Sequence, residues 1–206
     1  MKKIDIKALA NVLSYKEYVA TIHDLMSKGK VSTQATYTGD QILQYTEHNV
    51  QIMAELDNSL TLTPETLSQL GEIKKPITWL VLTEGWCGDA GQIMPVLEKM
   101  AQQNAHISHR LILRDEHLDI MDAFLTEEGR SIPKLIVLDA ADNVLASWGP
   151  RPRVLHEIVR QQKAKLLALP KEERNAYFER VKKEVQEWYK KDKTESIQRE
   201  VLEIFL

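Results

Sequence analysis

Residues 77–90 have the sequence Ile-Thr-Trp-Leu-Val-Leu-Thr-Glu-Gly-Trp-Cys-Gly-Asp-Ala, and the interpretation of the whole chain starts from this segment. The run from Ile77 to Leu82 is almost entirely apolar, which is typical of a short strand buried inside a sheet. Gly85 to Ala90 has the glycines of a turn, and a helical pattern continues from about Cys87 to Gln103. A buried strand, a turn and a helix in this order predict the first unit of an α/β domain.

The segments that follow continue this alternation. They predict, in order, a strand, a helix and two strands, at Leu111–Leu113, Leu118–Thr126, Leu135–Leu138 and Val144–Trp148. The connector Asp139–Asn143 has turn residues and is short enough for an antiparallel hairpin. A further helix begins after Pro150-Arg151-Pro152. This order predicts an α/β fold, a mixed sheet of at least four strands with helices on both faces.

The chain before this region is predicted to be helical. Helices are expected over three segments: Ser14–Lys28, Asp40–Asp57 and a short one from Thr63-Pro64 to Gly71. Ser14 and Glu17 have the spacing of a capping box, and Pro64 suits the first position of a helix. The polar stretch Val31–Gly39 is predicted to be a loop.

The tail from Lys171 to Leu206 carries nine basic and nine acidic residues and is also predicted to be helical. Four apolar residues lie on one face of that helix at i, i+4, i+8 and i+11: Tyr177, Val181, Val185 and Trp188. This face either packs on the protein's own surface or forms a partner-binding or dimerising surface. The apolar end, Val201–Leu206, is expected to be buried in this chain or in a neighbour.

Composition narrows the function classes. The net charge of -3, with no uniformly basic segment, argues against nucleic acid as a partner. No segment approaches the roughly 18 apolar residues of a membrane helix, so no membrane partner is expected. The start of the chain lacks the apolar core of a signal peptide. One cysteine in 206 residues cannot form an intramolecular disulfide, which favours a reducing, cytoplasmic location.

Trp86-Cys87-Gly88-Asp89-Ala90 resembles the active-site segment Trp-Cys-Gly-Pro-Cys of the thioredoxin-like superfamily. Pro95, inside the following helix, falls at that family's spacing. Ser131-Ile132-Pro133 lies directly before a predicted strand, where thioredoxin-like proteins place a cis-proline that faces the active cysteine. The hairpin and Gly149 also match. The resemblance covers about residues 74 to 167 and implies a thioredoxin fold.

The resemblance divides the chain into three parts. Residues 1–73 are predicted to be an N-terminal helical extension, residues 74–169 a thioredoxin-like domain, and residues 170–206 a C-terminal helical extension. This arrangement resembles thioredoxin-family proteins that carry helical extensions.

Three features of the family's redox site are missing. Ala90 replaces the second cysteine and Asp89 replaces the proline between the cysteines. Val81 occupies the position of the buried acidic residue that assists proton transfer in thioredoxins. In dithiol exchange the second thiolate releases the mixed disulfide, and Ala90 has no sulfur for that step. An internal dithiol mechanism is therefore excluded.

Two functions remain open. In the first, Cys87 is the nucleophile of a monothiol thiol-disulfide oxidoreductase or the thiol of a redox sensor, acting on a protein or on a low-molecular-weight thiol or disulfide. In the second, the scaffold is a non-catalytic binding or assembly module, with a homodimer formed through the helical extensions. A helix N-terminus lowers the pKa of a thiol and Asp89 raises it, so the sequence leaves the direction open.

The candidate site follows from the resemblance. Cys87 is the catalytic candidate, and the candidate substrate-binding residues are Trp86, Gly88, Asp89, Ile132 and Pro133. The loop at Pro133 is expected to offer a backbone edge to an extended peptide. No cofactor is expected. The six histidines lack the spacing of a zinc site and are interpreted as surface groups and helix caps, so no metal is expected.

Overall fold

The computed structural model describes residues 2–32 and 40–204. The helices are α1 (Tyr15–Ser27), α2 (Asp40–Ser59), α3 (Pro64–Gly71), α4 (Gly88–Ala101), α5 (Leu118–Asp122), α6 (Arg153–Ala168), α7 (Lys171–Asp192) and α8 (Glu195–Glu203). The strands are β1 (Ile77–Thr83), β2 (Ile107–Leu113), β3 (Lys134–Asp139) and β4 (Val144–Trp148). Within these described ranges, no helix has both the length and the apolar character needed to cross a membrane.

The four strands form one mixed sheet in the order β2-β1-β3-β4. β1 runs parallel to β2 and antiparallel to β3, and β3 is antiparallel to β4. Trp79, Leu80, Val81 and Leu82 are completely buried, so both faces of the central strand are covered. The predicted α/β fold, with a mixed sheet and helical extensions, is confirmed.

The N-terminal helices begin where the capping residues predict. The Ser14 side chain accepts a hydrogen bond from the Glu17 backbone N–H, and the Glu17 carboxylate accepts one from the Ser14 N–H, which completes the capping box. Thr63 caps α3 directly before Pro64. The predicted loop Val31–Gly39 lies mostly outside the described residues, since nothing is described between Ser32 and Asp40.

Two predicted elements in the middle region have different lengths in the structure. β2 begins at Ile107, not Leu111, because its first half alternates buried and solvent-facing residues instead of forming a continuous apolar run. The helix predicted to extend to Thr126 ends at Asp122. Glu127 and Glu128 have positive φ angles of 48° and 62°, which no right-handed helix contains.

The tail, predicted to be helical, consists of two helices. Lys193 and Thr194 adopt the left-handed conformation, with φ of 49° and 68°, and end α7. The chain then reverses into α8, which contacts α3 and α4. Val201 and Leu202 are buried, whereas Glu203 is exposed and residues 205 and 206 lie outside the described part.

Two histidines are not the surface groups that the sequence suggested. His109 is buried on β2, and its Nδ1 lies 2.8 Å from Oε2 of Glu98. His117 is buried before α5 and donates from Nε2 to the Ala10 carbonyl oxygen at 3.0 Å. Both were misassigned because polar residues within a strand or at a helix start are usually exposed, whereas here each meets a partner from a distant part of the chain.

Candidate functional site

The candidate site lies where β1 passes into α4. Cys87 is the residue before the first turn of α4, and its N–H donates to the Glu84 carbonyl oxygen at 3.1 Å. Gly91, one turn further along α4, lets α2 approach closely: a Cβ there would lie 3.1 Å from Cβ of Asn49. The side chain of Asn49 also donates to the Gly85 carbonyl oxygen at 3.0 Å. Helix α2 of the N-terminal extension is therefore fixed against the Cys87 turn.

The Cys87 thiol is enclosed. Its residue is 9% exposed, and Sγ donates to the carbonyl oxygen of Ile132 at 3.3 Å. The peptide bond between Ile132 and Pro133 is cis. The structure thus brings together Cys87, Ile132 and Pro133, and the Ile132 carbonyl oxygen already accepts one hydrogen bond from the thiol.

Burial raises the pKa of the Cys87 thiol to about 12, and the negative charge of Asp89 adds to that rise. The backbone N–H groups of Ala90 and Asp89, at the start of α4, lower the pKa, as does the positive charge of Arg151. The desolvation of the thiolate outweighs these favourable groups. Cys87 is therefore a neutral thiol at physiological pH.

Asp89 is held by two residues from outside the motif. Arg151 donates to its Oδ2 from Nε at 3.0 Å and from Nη2 at 2.5 Å, and the Tyr189 hydroxyl donates to Oδ1 at 2.7 Å. The Asp89 side chain is only 10% exposed. This charge-assisted pairing ties the Cys87 turn to the segment before α6 and to the end of α7.

Arg151 and Tyr189 are site residues that sequence reasoning missed. Arg151 lies between two prolines, which fix the backbone before α6, but nothing in the sequence indicates that it contacts Asp89. Tyr189 directly follows the predicted apolar stripe of α7. The four residues of that stripe are only partly buried, whereas Tyr189 is buried. The buried partner of its hydroxyl explains that position.

Gln186, one turn before Tyr189, makes a second contact between α7 and α4. Its Oε1 accepts from Nε2 of Gln92 at 2.6 Å. A Cβ at Gly88 would lie 3.8 Å from Nε2 of Gln186 and 3.9 Å from Oδ1 of Asn49. Gly88 is thus flanked by both helical extensions, which lie over the turn instead of leaving it open.

Trp86, a predicted substrate-binding residue, is half-buried directly before Cys87. The Arg114 guanidinium lies 5.0 Å from the centre of its ring, within the range of a cation–π contact. Its flat face is therefore already in contact with a side chain of this chain.

Glu84 is a buried acidic residue near the candidate site. The resemblance to thioredoxins did not predict it, because the family's acidic position corresponds to Val81. Glu84 is fully buried, and its Oε1 accepts from the Asp115 N–H at 3.1 Å, while its Oε2 is hydrogen-bonded to the Ser32 hydroxyl. Burial raises the pKa of Glu84 to about 7. Val81, the family's acid position, is fully buried among apolar strands. In the sequence, the one indication that Glu84 belongs to the site is its position, since it is a charged residue between a buried strand and Gly85.

The Pro133 loop is closed on its other side by Gly149. Gly149 has φ of +113°, and a Cβ there would lie 2.3 Å from the Pro133 carbonyl oxygen. Lys134, next in sequence, is buried and donates to the Gly149 carbonyl oxygen at 3.3 Å and to the Thr126 hydroxyl at 2.5 Å. Burial lowers the pKa of Lys134. Across residues 2–32 and 40–204, no group of three His, Cys, Asp or Glu residues is arranged to hold a metal ion.

Comparisons with known proteins bear on the family and the fold. Residues 36–165 match a family model described as Thioredoxin. A protein of unknown function from Pseudomonas aeruginosa is similar in structure, with 19% identity, a TM-score of 0.48, and coverage of 76% of this chain and 88% of that one. A domain of alkylhydroperoxide reductase AhpF from Enterococcus faecalis has 18% identity, a TM-score of 0.37, and coverage of 52% and 58%. No curated protein matched in sequence.

Proposed function

Since this chain belongs to the thioredoxin family, we propose that it uses the thioredoxin fold as a non-catalytic binding or assembly module, in which Cys87 is a buried neutral thiol and not a nucleophile. This is the second of the two functions that the sequence left open. The proposal concerns the folded, closed form described above.

The observation that carries the proposal is the enclosure of Cys87. Its thiol is hydrogen-bonded to Ile132, and burial raises its pKa to about 12. Because the thiolate is the attacking species, a raised pKa leaves little of Cys87 in reactive form at pH 7.

The surface offered to a partner must then lie away from Cys87. The α6–α7 hairpin (residues 153–192) presents three large apolar side chains to solvent: Val154, Leu167 and Phe178, which are 58%, 59% and 45% exposed. Large apolar and aromatic side chains are enriched at the centres of protein–protein interfaces. The partner class that we propose is a protein, with a second copy of this chain as the specific case.

Thiol titration tests the non-catalytic assignment. We expect the native protein to react with a small disulfide probe at least about 1,000-fold more slowly than the urea-unfolded chain at pH 8, because burial suppresses both access and ionisation. Cys87→Ser is the control for reaction elsewhere, and it should fold with unchanged circular dichroism. Rapid native reaction, with an apparent pKa below about 8.5, would rule the assignment out.

Light scattering coupled to size exclusion tests the dimer. Cutting the chain after Leu169 would also remove Tyr189 from the site, so surface variants are preferable. Leu167→Glu and Phe178→Glu should shift a dimer to monomer, while Glu172→Lys, on an exposed position of the same hairpin, should not. A wild-type monomer at all concentrations would contradict the dimer.

Monothiol chemistry is the second candidate, and one feature favours it. Two backbone N–H groups of α4 and the Arg151 guanidinium surround the sulfur, and all three stabilise a thiolate. Burial and Asp89 oppose them. A form of the protein in which Cys87 meets water would therefore carry a more reactive thiol. We also propose a cytoplasmic location, which rests on the single cysteine.

A further inference from the structure

The α6–α7 hairpin places few side chains fully in the core, although Val159, Val185 and Trp188 are partly buried against it. In the described part of α7 only Tyr189 is buried, and in α6 only Leu155. By contrast, the short helix α8 buries Ile197, Val201 and Leu202 in the core. The hairpin is thus firmly anchored at its two ends and lightly packed between them.

Three polar contacts close the hairpin over the site. The Tyr189 hydroxyl donates to Asp89, Gln186 accepts from Gln92, and Tyr45 of α2 donates to Oε1 of Glu179 at 3.0 Å. We call these contacts the hairpin latch. Hydrogen bonds of this kind exchange for bonds to water at a modest net cost, whereas the apolar packing of α8 does not. Opening the latch therefore leaves the anchors intact.

Both ends of the hairpin have backbone features suited to a hinge. At the C-terminal end, Lys193 and Thr194 are both in the left-handed region. Lys193 is exposed, whereas Thr194 is buried and its Oγ1 accepts from Nε2 of Gln198 in α8 at 2.9 Å. At the N-terminal end, the segment Pro150-Arg151-Pro152 precedes α6 outside any helix or strand. Hinges are a few residues at the ends of elements, as at these two positions.

We propose that the α6–α7 hairpin is an autoinhibitory lid, whose latch on Asp89, Gln92 and Tyr45 covers the Cys87 turn and whose opening exposes Cys87 to solvent. The lid goes beyond the non-catalytic function proposed above, because it states what controls access to the surface that the family uses. Segments with few buried apolar contacts open locally at a lower free-energy cost than the core.

Tyr189→Phe tests the lid. It removes the hydroxyl that binds Asp89 and keeps the buried ring. A hydrogen bond to a charged group is worth a factor of about 10 to 100 in an opening equilibrium. We therefore expect alkylation of Cys87 by iodoacetamide, at pH 8 and well below the unfolding transition, to be at least about 10-fold faster than in the wild type.

Tyr177→Phe is the matched control. It lies on the same helix, but its hydroxyl donates to Oε1 of Gln162 on α6 at 2.6 Å and not to the site. We expect this variant to alkylate at the wild-type rate. Gln186→Ala, which removes a second latch contact without touching a buried ring, should raise the rate in the same direction as Tyr189→Phe.

The urea dependence of the alkylation rate separates a lid from global unfolding. Opening of the hairpin exposes little surface, so the wild-type rate should depend weakly on urea below the transition. A rate that follows the full slope of global unfolding from the lowest urea concentrations would overturn the proposal, as would equal rates for Tyr189→Phe and Tyr177→Phe. The non-catalytic function fails separately, through fast reaction of the wild-type thiol.

Discussion

At the scale of single residues, burial sets the protonation of two groups that flank the turn before α4. Cys87 and Glu84 have no large opposite charge close enough to offset the loss of water, so burial raises the pKa of each. Arg114 faces Glu84 and lowers its pKa, while Asp115 raises it, and the two charges largely offset each other. For Cys87 the result is a fixed neutral thiol, whereas Glu84 titrates near physiological pH.

Glu84→Gln should change how stability depends on pH. Because the pKa of Glu84 is raised to about 7 in the folded protein, the proton it holds stabilises the native state, and this contribution is complete below its ordinary pKa of 4.5. The contribution falls as pH rises towards 7 and is then lost. The free energy of unfolding should decrease by roughly 3 kcal/mol over this pH range. The glutamine side chain of the variant cannot ionise, so the variant should lack this decline.

Urea unfolding of both proteins between about pH 4 and pH 8 measures this difference. The free energy of unfolding of Glu84→Gln, relative to wild type, should increase with pH and level off above about pH 7. A difference that stays constant across the series would show that the pKa of Glu84 is not raised in the folded protein. Asp119→Asn, beyond the Glu84 network, controls for general effects of removing a carboxylate.

Gly149→Ala should be strongly destabilising. Gly149 has a φ of +113°, and a Cβ would meet the Pro133 carbonyl oxygen at 2.3 Å, so both the backbone and the loop facing Cys87 would have to move. We expect a loss of about 3 kcal/mol or more in the free energy of unfolding. Gly71→Ala, where no atom lies within 4 Å of the added methyl group, should change stability by less than about 1 kcal/mol. Equal effects in thermal denaturation would contradict this account.

At the scale of elements, the junction between α7 and α8 stores backbone strain. Lys193 has an exposed side chain and a φ of 49°, a conformation that costs a residue with a Cβ roughly 1 kcal/mol. Lys193→Gly should therefore raise the free energy of unfolding by about 0.5–1 kcal/mol. Lys191→Gly, two residues earlier within α7, should lower it by about 1 kcal/mol, because glycine weakens a helix. A destabilised Lys193→Gly variant would contradict the assignment.

The sequence predicts the elements better than it predicts what they contact. Local signals such as the Ser14–Glu17 capping box and the apolar run of β1 act within one element, and the structure agrees with them. The start of β2 was missed because its alternating half has no continuous apolar run. The contact of Tyr189 with Asp89 joins residues 100 positions apart, and no local pattern encodes such a pair.

The candidate site shows the same limit in its electrostatics. The Trp86–Asp89 motif identifies the position of Cys87, but not the helix of the C-terminal extension that covers it. Helix-terminal N–H groups and Asp89 have opposite effects on the thiol pKa. The sum depends on burial, which arises only when α2 and α7 pack over the turn.

At the scale of the whole molecule, α8 joins the C-terminal extension to the core. Glu200 is buried on α8 and accepts hydrogen bonds from Trp148 Nε1 at 3.1 Å and from the Arg153 N–H at 3.0 Å. These donors come from the last strand and from the first residue of α6. Gln198 on the same helix accepts from the Thr63 N–H at 2.9 Å, before α3. One helix thus links parts of all three predicted regions.

We therefore predict that the chain unfolds as one cooperative unit, and that Glu200→Ala destabilises all of it. The substitution leaves the Trp148 and Arg153 donors without their acceptor in a buried site, which should cost about 2–4 kcal/mol. Glu195→Ala, exposed at the start of α8, should cost less than about 1 kcal/mol. Far-ultraviolet circular dichroism follows the helices. In a Trp188→Phe background, tryptophan fluorescence follows Trp79, Trp86 and Trp148, all outside the C-terminal extension. In a single unit, both midpoints shift together, and the boundary between residues 169 and 170 then marks no autonomous domain. If the C-terminal extension folded independently, Glu200→Ala would separate the two unfolding curves.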